Sequence, residues 1–266
     1  LFYALLLEFL PMKKSLIYLI TLSLLFAACG KEQLSIGKGK AEDEIKKCNK
    51  LLDEKEYEDA VQCLEMFKSR YAHSSLAQDA ELEIGDAYFD KKEYLLSAES
   101  YAAFIKLYPR HPKIDYAYYR TGTAYLRASP KAIDRDQEYL GSAIEYLNVV
   151  VYHFSRSPYV SLASKELYEA LSRVARRDYY IGKFYYRTGE YLACIDRFKD
   201  ISENYKPSGL ADKSLYFITS AYLELGKLDD AKEAYSKMSV DYPESKWTKK
   251  AASKLKKYVR HIDNQK

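Results

Sequence analysis

The side chains able to do covalent, acid–base or metal chemistry are few and scattered. Four histidines (His73, His111, His153, His261) and four cysteines (Cys29, Cys48, Cys63, Cys194) are spread over 266 residues. No CxxC spacing occurs and no histidine stands beside a cysteine, so nothing reads as a metal site. There is no GxxxxGK[ST] loop, GxSxG elbow, HExxH pair or EF-hand loop. Carboxylate pairs such as Glu81/Glu83 and Asp229/Asp230 fall on helix faces expected to be solvated, where charge is the default. Cys48 and Cys63 lie within apolar patterns, which reads as thiols packed as small hydrophobes. In an oxidising compartment a bridge between them is the alternative. The residues point to no catalysis, cofactor or metal; what is left is surface recognition, together with the chemistry of Cys29.

The elements that would carry such a surface follow from composition. The 42 Lys and Arg against 38 Asp and Glu leave a formal charge of +4, too balanced for a dedicated nucleic-acid binder. With 30% charged and 48% hydrophobic residues, the chain is neither disordered nor a polytopic membrane protein. Ten Gly and seven Pro are too few for the frequent turns of a β-sandwich. Twenty-eight Tyr beside one Trp are the unusual entry in the composition. The expected body is all-α.

Its internal spacing is regular. Cys48, Gly85, Gly122, Gly182 and Thr219 are equivalent small residues, and the intervals 48→85, 85→122 and 182→219 are each 37 residues. Three residues on stand Leu51, Tyr88, Tyr125, Tyr185 and Tyr222; twelve on, Ala60, Ser97, Cys194 and Ala231; sixteen on, Leu64, Tyr101, Phe198 and Tyr235. Units end in Tyr71-Ala72, Tyr108-Pro109, Tyr205-Lys206-Pro207 and Tyr242-Pro243. This order is similar to the tetratricopeptide repeat, in which helices cross closely at small residues and bulky ones fill the gaps. The resemblance implies a right-handed α-solenoid of five helix pairs over residues 41–266, with residues 246–261 a basic capping helix that turns Trp247, Leu255 and Val259 inward. From Gly122 to Gly182 the interval is 60, a surplus of 23. About ten of these fall in an insertion over residues 127–138, and the rest lengthen a helix over roughly 159–186. The Tyr stripes read as repeat core.

In such a solenoid the first helix of each pair lines the concave side. Positions three before, one after and four after the small residue then face it. These are Ile45, Asn49 and Leu52; Leu82, Asp86 and Phe89; and Tyr119, Thr123 and Leu126, with Tyr116 beside them. The register predicts an apolar, aromatic groove with sparse polar groups, suited to a peptide with bulky side chains. Basic character is expected only later, at Arg176, Lys183 and Arg187.

The N-terminus reads as an address. After Met12-Lys13-Lys14, residues 16–28 carry no formal charge and close in Phe26-Ala27-Ala28-Cys29-Gly30. Thirteen residues rise only about 20 Å as a helix, short of the roughly 30 Å hydrocarbon core, so they form a signal rather than a span. Met12 is the expected start, with residues 1–11 an upstream extension. The small residues before Cys29 resemble the lipobox of bacterial lipoproteins. That resemblance implies acylation of Cys29, cleavage before it, and residues 29–40 as a polar tether. Gly30, in place of an inner-membrane retention Asp, implies the outer membrane.

Three stretches carry a more specific likeness. Residues 104–122, FIKLYPRHPKIDYAYYRTG, are close to FIxLxPxHPxIDYxxYxxG; Asp134-Arg135-Asp136 lies in an insertion at the matching place; and residues 185–197 resemble YYxxxGxxxxxxxR. Together they resemble the BamD family of outer-membrane assembly lipoproteins. The family implies a non-catalytic protein on the periplasmic face of the outer membrane, held by a lipid anchor. Its implied partners are the POTRA portion of a BamA-like barrel protein, other Bam lipoproteins, and unfolded β-barrel proteins whose C-terminal strand enters the N-terminal repeats; no nucleic acid is among them. Arg197, with Arg187, is the candidate for the BamA-facing region; Arg197 also reads as a surface residue paired with Asp196 or Asp200. A different class, an envelope-maintenance lipoprotein coordinating peptidoglycan synthesis with outer-membrane constriction, usually carries an N-terminal coiled coil, and residues 31–40 offer no heptads.

Overall fold

The computed structural model describes residue 36, residues 39–132, residue 135 and residues 137–264. Cys29 and the signal segment lie outside the described residues, as do Asp134 and Asp136 of the insertion motif. Eleven α-helices and one 3-10 turn make up the described chain. They are α1 (Ala41–Asp53), α2 (Tyr57–Arg70), α3 (Leu76–Asp90), α4 (Tyr94–Leu107), α5 (Ile114–Ala128) and α6 (Glu138–His153). After them come α7 (Val160–Thr188), α8 (Tyr191–Asn204), the turn Lys206–Ser208, α9 (Ala211–Glu224), α10 (Leu228–Asp241) and α11 (Lys246–Asp263). No described helix is long and apolar enough to cross a membrane.

Helices pack closely on their neighbours in sequence, and the substantial contacts one helix further on join odd-numbered helices, such as α1 with α3 and α5 with α7. That pattern is a solenoid: pairs stack one on the next, with the odd helices forming the inner wall. The buried side chains accordingly form successive clusters along the chain rather than one centre.

The small residues do what their spacing requires. A Cβ added to Gly85 would sit 2.6 Å from the Tyr101 ring, and one on Gly182 would sit 2.9 Å from Phe198. Each of these bulky residues stands sixteen positions after its glycine and stacks directly on it. On Gly122 a Cβ would meet Leu147 Cγ at 2.6 Å and the Leu147 backbone nitrogen at 3.1 Å. Leu147 stands 25 residues on, so the insertion adds nine residues to this pair. The remaining fourteen of the surplus lengthen α7 by about four turns. Its first half packs Ala163, Leu167 and Ala170 against α5 and α6, and its second half pairs with α8 through Ala175 and Phe198. One 29-residue helix thus joins two repeats.

The turns inside the pairs share a left-handed residue seven positions after the small one. It is Lys55 (φ 62°), Lys92 (φ 68°), Gly189 (φ 84°) and Gly226 (φ 72°). Cys48 and Cys63 form a disulfide joining α1 to α2, Cα atoms 5.3 Å apart, so the reading of them as free packed thiols is corrected. The two apolar patterns bury both residues fully and face them on each other across the first pair. Cys194 is a free, buried thiol.

Candidate peptide-binding groove

The inner wall is tied together by side chains about 34 residues apart, one repeat less one helical turn. With its amide nitrogen turned toward α3, Asn49 donates to Glu83 Oε2 at 2.8 Å and to the Ile45 carbonyl at 3.2 Å. Lys113 Nζ meets Asp79 Oδ1 at 2.6 Å. Arg120 Nη2 meets Asp86 Oδ1 at 3.2 Å. The Asn49–Glu83 and Asp86–Arg120 contacts run from the position after one small residue to the position two before the next, and Asp79–Lys113 ties the first turn of α3 to the start of α5.

Asp86 is the hub. It accepts hydrogen bonds from the hydroxyls of Tyr101 and Tyr116. Arg120 Nε donates to Tyr101 Oη at 3.0 Å, and its guanidinium lies 3.8 Å from the centroid of the Phe89 ring. Burial, and then the Asp86 carboxylate beside them, push both Tyr hydroxyls well above the usual phenol range, so they remain protonated donors. Beyond the hub the wall is aromatic. Tyr159 stacks on Tyr119 at 5.3 Å with 10° between planes and meets Tyr116 at 5.4 Å. Thr123 then donates to Glu166, which also holds Arg127 at 3.0 Å.

Among the sequence-derived candidates, the structure brings Asp86, Phe89 and Tyr116 into one cluster and sets Tyr119 against it through Tyr159. Asn49 and Leu52 lie one repeat away, half-buried. Leu82 is 2% exposed, packed with Tyr101, Phe104 and Ala117, and Thr123 is 3% exposed. Neither offers a free surface, because the inner helices approach closely enough to cover those positions. Arg120 and Arg127 put basic groups in the wall one repeat earlier than the register implied. The 34-residue offset between Asp86 and Arg120 was the signal that could have found this pair. Among the described residues no group of three or more His, Cys, Asp or Glu could hold a metal ion.

Glu83 is the group in this wall that titrates near neutrality. Burial raises its pKa to about 7, with the Asp79 carboxylate adding and Lys113 opposing. The folded value lies above the unfolded one, so stability from this site is fully present at low pH. It falls as pH rises from about 4.5 to 7, where the unfolded chain releases its proton first. Glu83→Gln should therefore flatten the dependence of Tm on pH across that window. The gain above pH 7 should be about 1 kcal/mol after allowance for solvent screening; parallel melts of the two proteins from pH 4.5 to 8 check it.

The two arginines of the later repeats are not brought together. Arg197 on α8 pairs with Asp178 on α7 at 3.5 Å, rather than with Asp196 or Asp200, and its side chain is 45% exposed. Burial raises the Asp178 pKa, and Arg197 opposes that shift. Arg187 follows Asp178 by nine residues on the same helix, which places it about 180° around the axis. There it shares an exposed face with Tyr180 (55%) and Phe184 (50%). Sequence reasoning assigned such Tyr to the repeat core. Both stand within two residues of Gly182, in the half of α7 that belongs to the repeat, and they face outward instead.

A stack of helix pairs with a polar–aromatic inner wall defines a solenoid of the tetratricopeptide type. The family model YfiO, outer membrane lipoprotein, matches residues 39–238, and this chain belongs to that family. It is 28% identical to the outer membrane protein assembly factor BamD of Rickettsia prowazekii over 210 residues, 78% of this chain and 82% of that one. It is 26% identical to BamD of Neisseria meningitidis serogroup A, over 77% and 78% of the two chains. Among solved structures it is similar to the TPR2AB domain of yeast Sti1 in complex with pHSP90, at 16% identity and a TM-score of 0.39, covering 84% and 86%.

Proposed function

We propose that this chain is the lipid-anchored, non-catalytic scaffold of an outer-membrane β-barrel assembly machine, acting at the periplasmic face. Membership of the outer membrane lipoprotein family over residues 39–238, with BamD assembly factors as relatives, carries the reading. In this account acylated Cys29 anchors the chain. The wall of Phe89, Tyr116, Tyr119 and Tyr159 receives the aromatic C-terminal strand of an unfolded barrel protein. Its rings supply flat apolar area at low entropic cost, and the Asp86–Arg120 pair supplies polar edges. The second half of α7 with α8 receives the POTRA portion of a BamA-like protein, with Arg197 exposed on one side and the Tyr180–Phe184–Arg187 face on the other. Accessory Bam lipoproteins complete the assembly.

Affinity purification from native membranes tests the reading. A barrel-and-POTRA protein should co-purify, and Arg197→Leu should reduce its recovery about tenfold while leaving the helical circular-dichroism signal intact. Recovery of only peptidoglycan-synthesis enzymes would reject the assembly role, and unaltered co-purification of Arg197→Leu would reject that residue.

A further inference from the structure

The terminal helix α11 holds a charge that the rest of the chain does not. Residues 246–263 contain seven Lys or Arg and a single acid, Asp263, a net +6 in a chain whose total is +4. The other 248 residues therefore carry a net −2. Lys246, Lys249, Lys250, Lys256, Lys257 and Arg260 are all exposed. At 100° per residue they fall within an arc of about 120°, a stripe about 21 Å long. Asp263 lies outside that arc. The opposite face, with Trp247, Ala251 and Leu255, is spent on packing against α9 and α10. Lys250 lies 4.6 Å and Lys246 5.7 Å from the Trp247 ring centroid, so Trp247 steadies the first turn of the stripe. Lys249 meets Glu244 at 3.6 Å, both side chains largely exposed. A pair that open to solvent holds the cation only weakly.

A capping helix needs a polar outer face, but it does not need one sign of charge. Mixed charges would cap equally well and would repel less, so the single sign calls for an anionic counterpart. We propose that the cationic face of α11 lies against anionic phospholipid headgroups. Five of the six cations are Lys, a compact point charge that suits a field of mobile phosphates. Protein interfaces, in contrast, are depleted in Lys and enriched in Arg and aromatic residues. The family is an outer-membrane one, which places a headgroup layer within reach of the chain. Because the apolar face of α11 is buried in the solenoid, the contact is electrostatic and does not insert. Cations near an anionic surface each strengthen attachment about fivefold, and salt screens them within a Debye length of about 10 Å at 0.1 M. The far end of the solenoid would then rest on the bilayer at the end opposite its N-terminal tether, holding the inner wall alongside the membrane.

Ser253 is exposed in the centre of the stripe. The full chain carrying Ser253→Cys with a fluorescent donor would be reconstituted into vesicles bearing a headgroup acceptor. One set is phosphatidylcholine alone, and the other contains about a third phosphatidylglycerol. Energy transfer should arise on the phosphatidylglycerol vesicles and be absent on phosphatidylcholine. High salt should abolish it, as should the combination Lys249→Glu, Lys250→Glu, Lys256→Glu and Lys257→Glu, with the circular-dichroism melt unchanged. Equal transfer on both vesicle types would overturn the proposal, as would full transfer in the four-fold variant. So would silence on both vesicle types with an acidic protein captured through the same lysines.

Discussion

Arg173→Leu is expected to cost about 3–5 kcal/mol, the largest loss from any single side chain in this fold. Arg173 is 7% exposed, and its guanidinium stands where the nine-residue insertion leaves backbone carbonyls without a helix to satisfy them. Nη1 donates to the Leu126 carbonyl at 3.2 Å, and Nη2 donates to the carbonyls of Ser129, at 3.0 Å, and Pro130. Nη2 also reaches Gln137 Oε1 at 3.3 Å. Gln137, itself 4% exposed, turns its amide to the carbonyls of Pro130 at 2.9 Å and Ala132 at 3.0 Å. Burial lowers the pKa of Arg173 and the Glu169 carboxylate opposes that shift, while the carbonyl hydrogen bonds hold the guanidinium in place. Removing the fork leaves several buried acceptors unpaired at once, each worth about 1–3 kcal/mol. Tm should fall by about 10 °C, at 2–4 °C per kcal/mol for a domain of this size. Arg173→Lys should recover only part of the loss, because an ammonium keeps the charge without the planar fork. A Tm for Arg173→Leu within a degree or two of the parent would show that the insertion does not depend on it.

Reduction of Cys48–Cys63 should release the first repeat by about 3 kcal/mol, the loop-closure value for a ring of fifteen residues. The effect should be local. Helix α1 ends the described solenoid and packs chiefly on α2 and α3. A terminal unit of a stacked array opens without the rest, and the disulfide is what holds α1 to α2 when it does. Amide exchange in α1 and α2 should therefore accelerate on the order of a hundredfold with reductant or in Cys48→Ala/Cys63→Ala, while α9 and α10 are unaffected. Uniform exchange along the chain would show that the first repeat is secure without the bond. A native disulfide also fits an oxidising compartment, in keeping with an outer-membrane family.

The legible part of this fold lay in its period. A small residue recurring at 37-residue intervals on either side of the insertion, with a bulky residue sixteen on, specified which helices cross and which ring covers which backbone: Tyr101 on Gly85, Phe198 on Gly182. The same period, less one turn, joins Asp86 to Arg120 and Asp79 to Lys113 across the inner wall. That ladder was present in the sequence but hidden, since it appears only when two units are compared at an offset. Leu82 was misplaced because a period locates a side chain around its own helix and not under the next one. The disulfide was ambiguous because apolar surroundings are common to thiols and bridges alike. The role of Arg173 was illegible for another reason: its partners are carbonyls in an insertion with no counterpart in the other units. The outward aromatic face of α7 was hidden for the same reason as Leu82: Tyr180 and Phe184 stand two residues either side of Gly182, and the period does not say which side a neighbouring helix covers.

The most direct measurement of the central claim is the abundance of outer-membrane β-barrel proteins after this chain is depleted from its own cells. Loss of many unrelated barrels together, before any change in cell shape or division, is the predicted result. Normal barrel levels with defects confined to the cell wall would contradict the account.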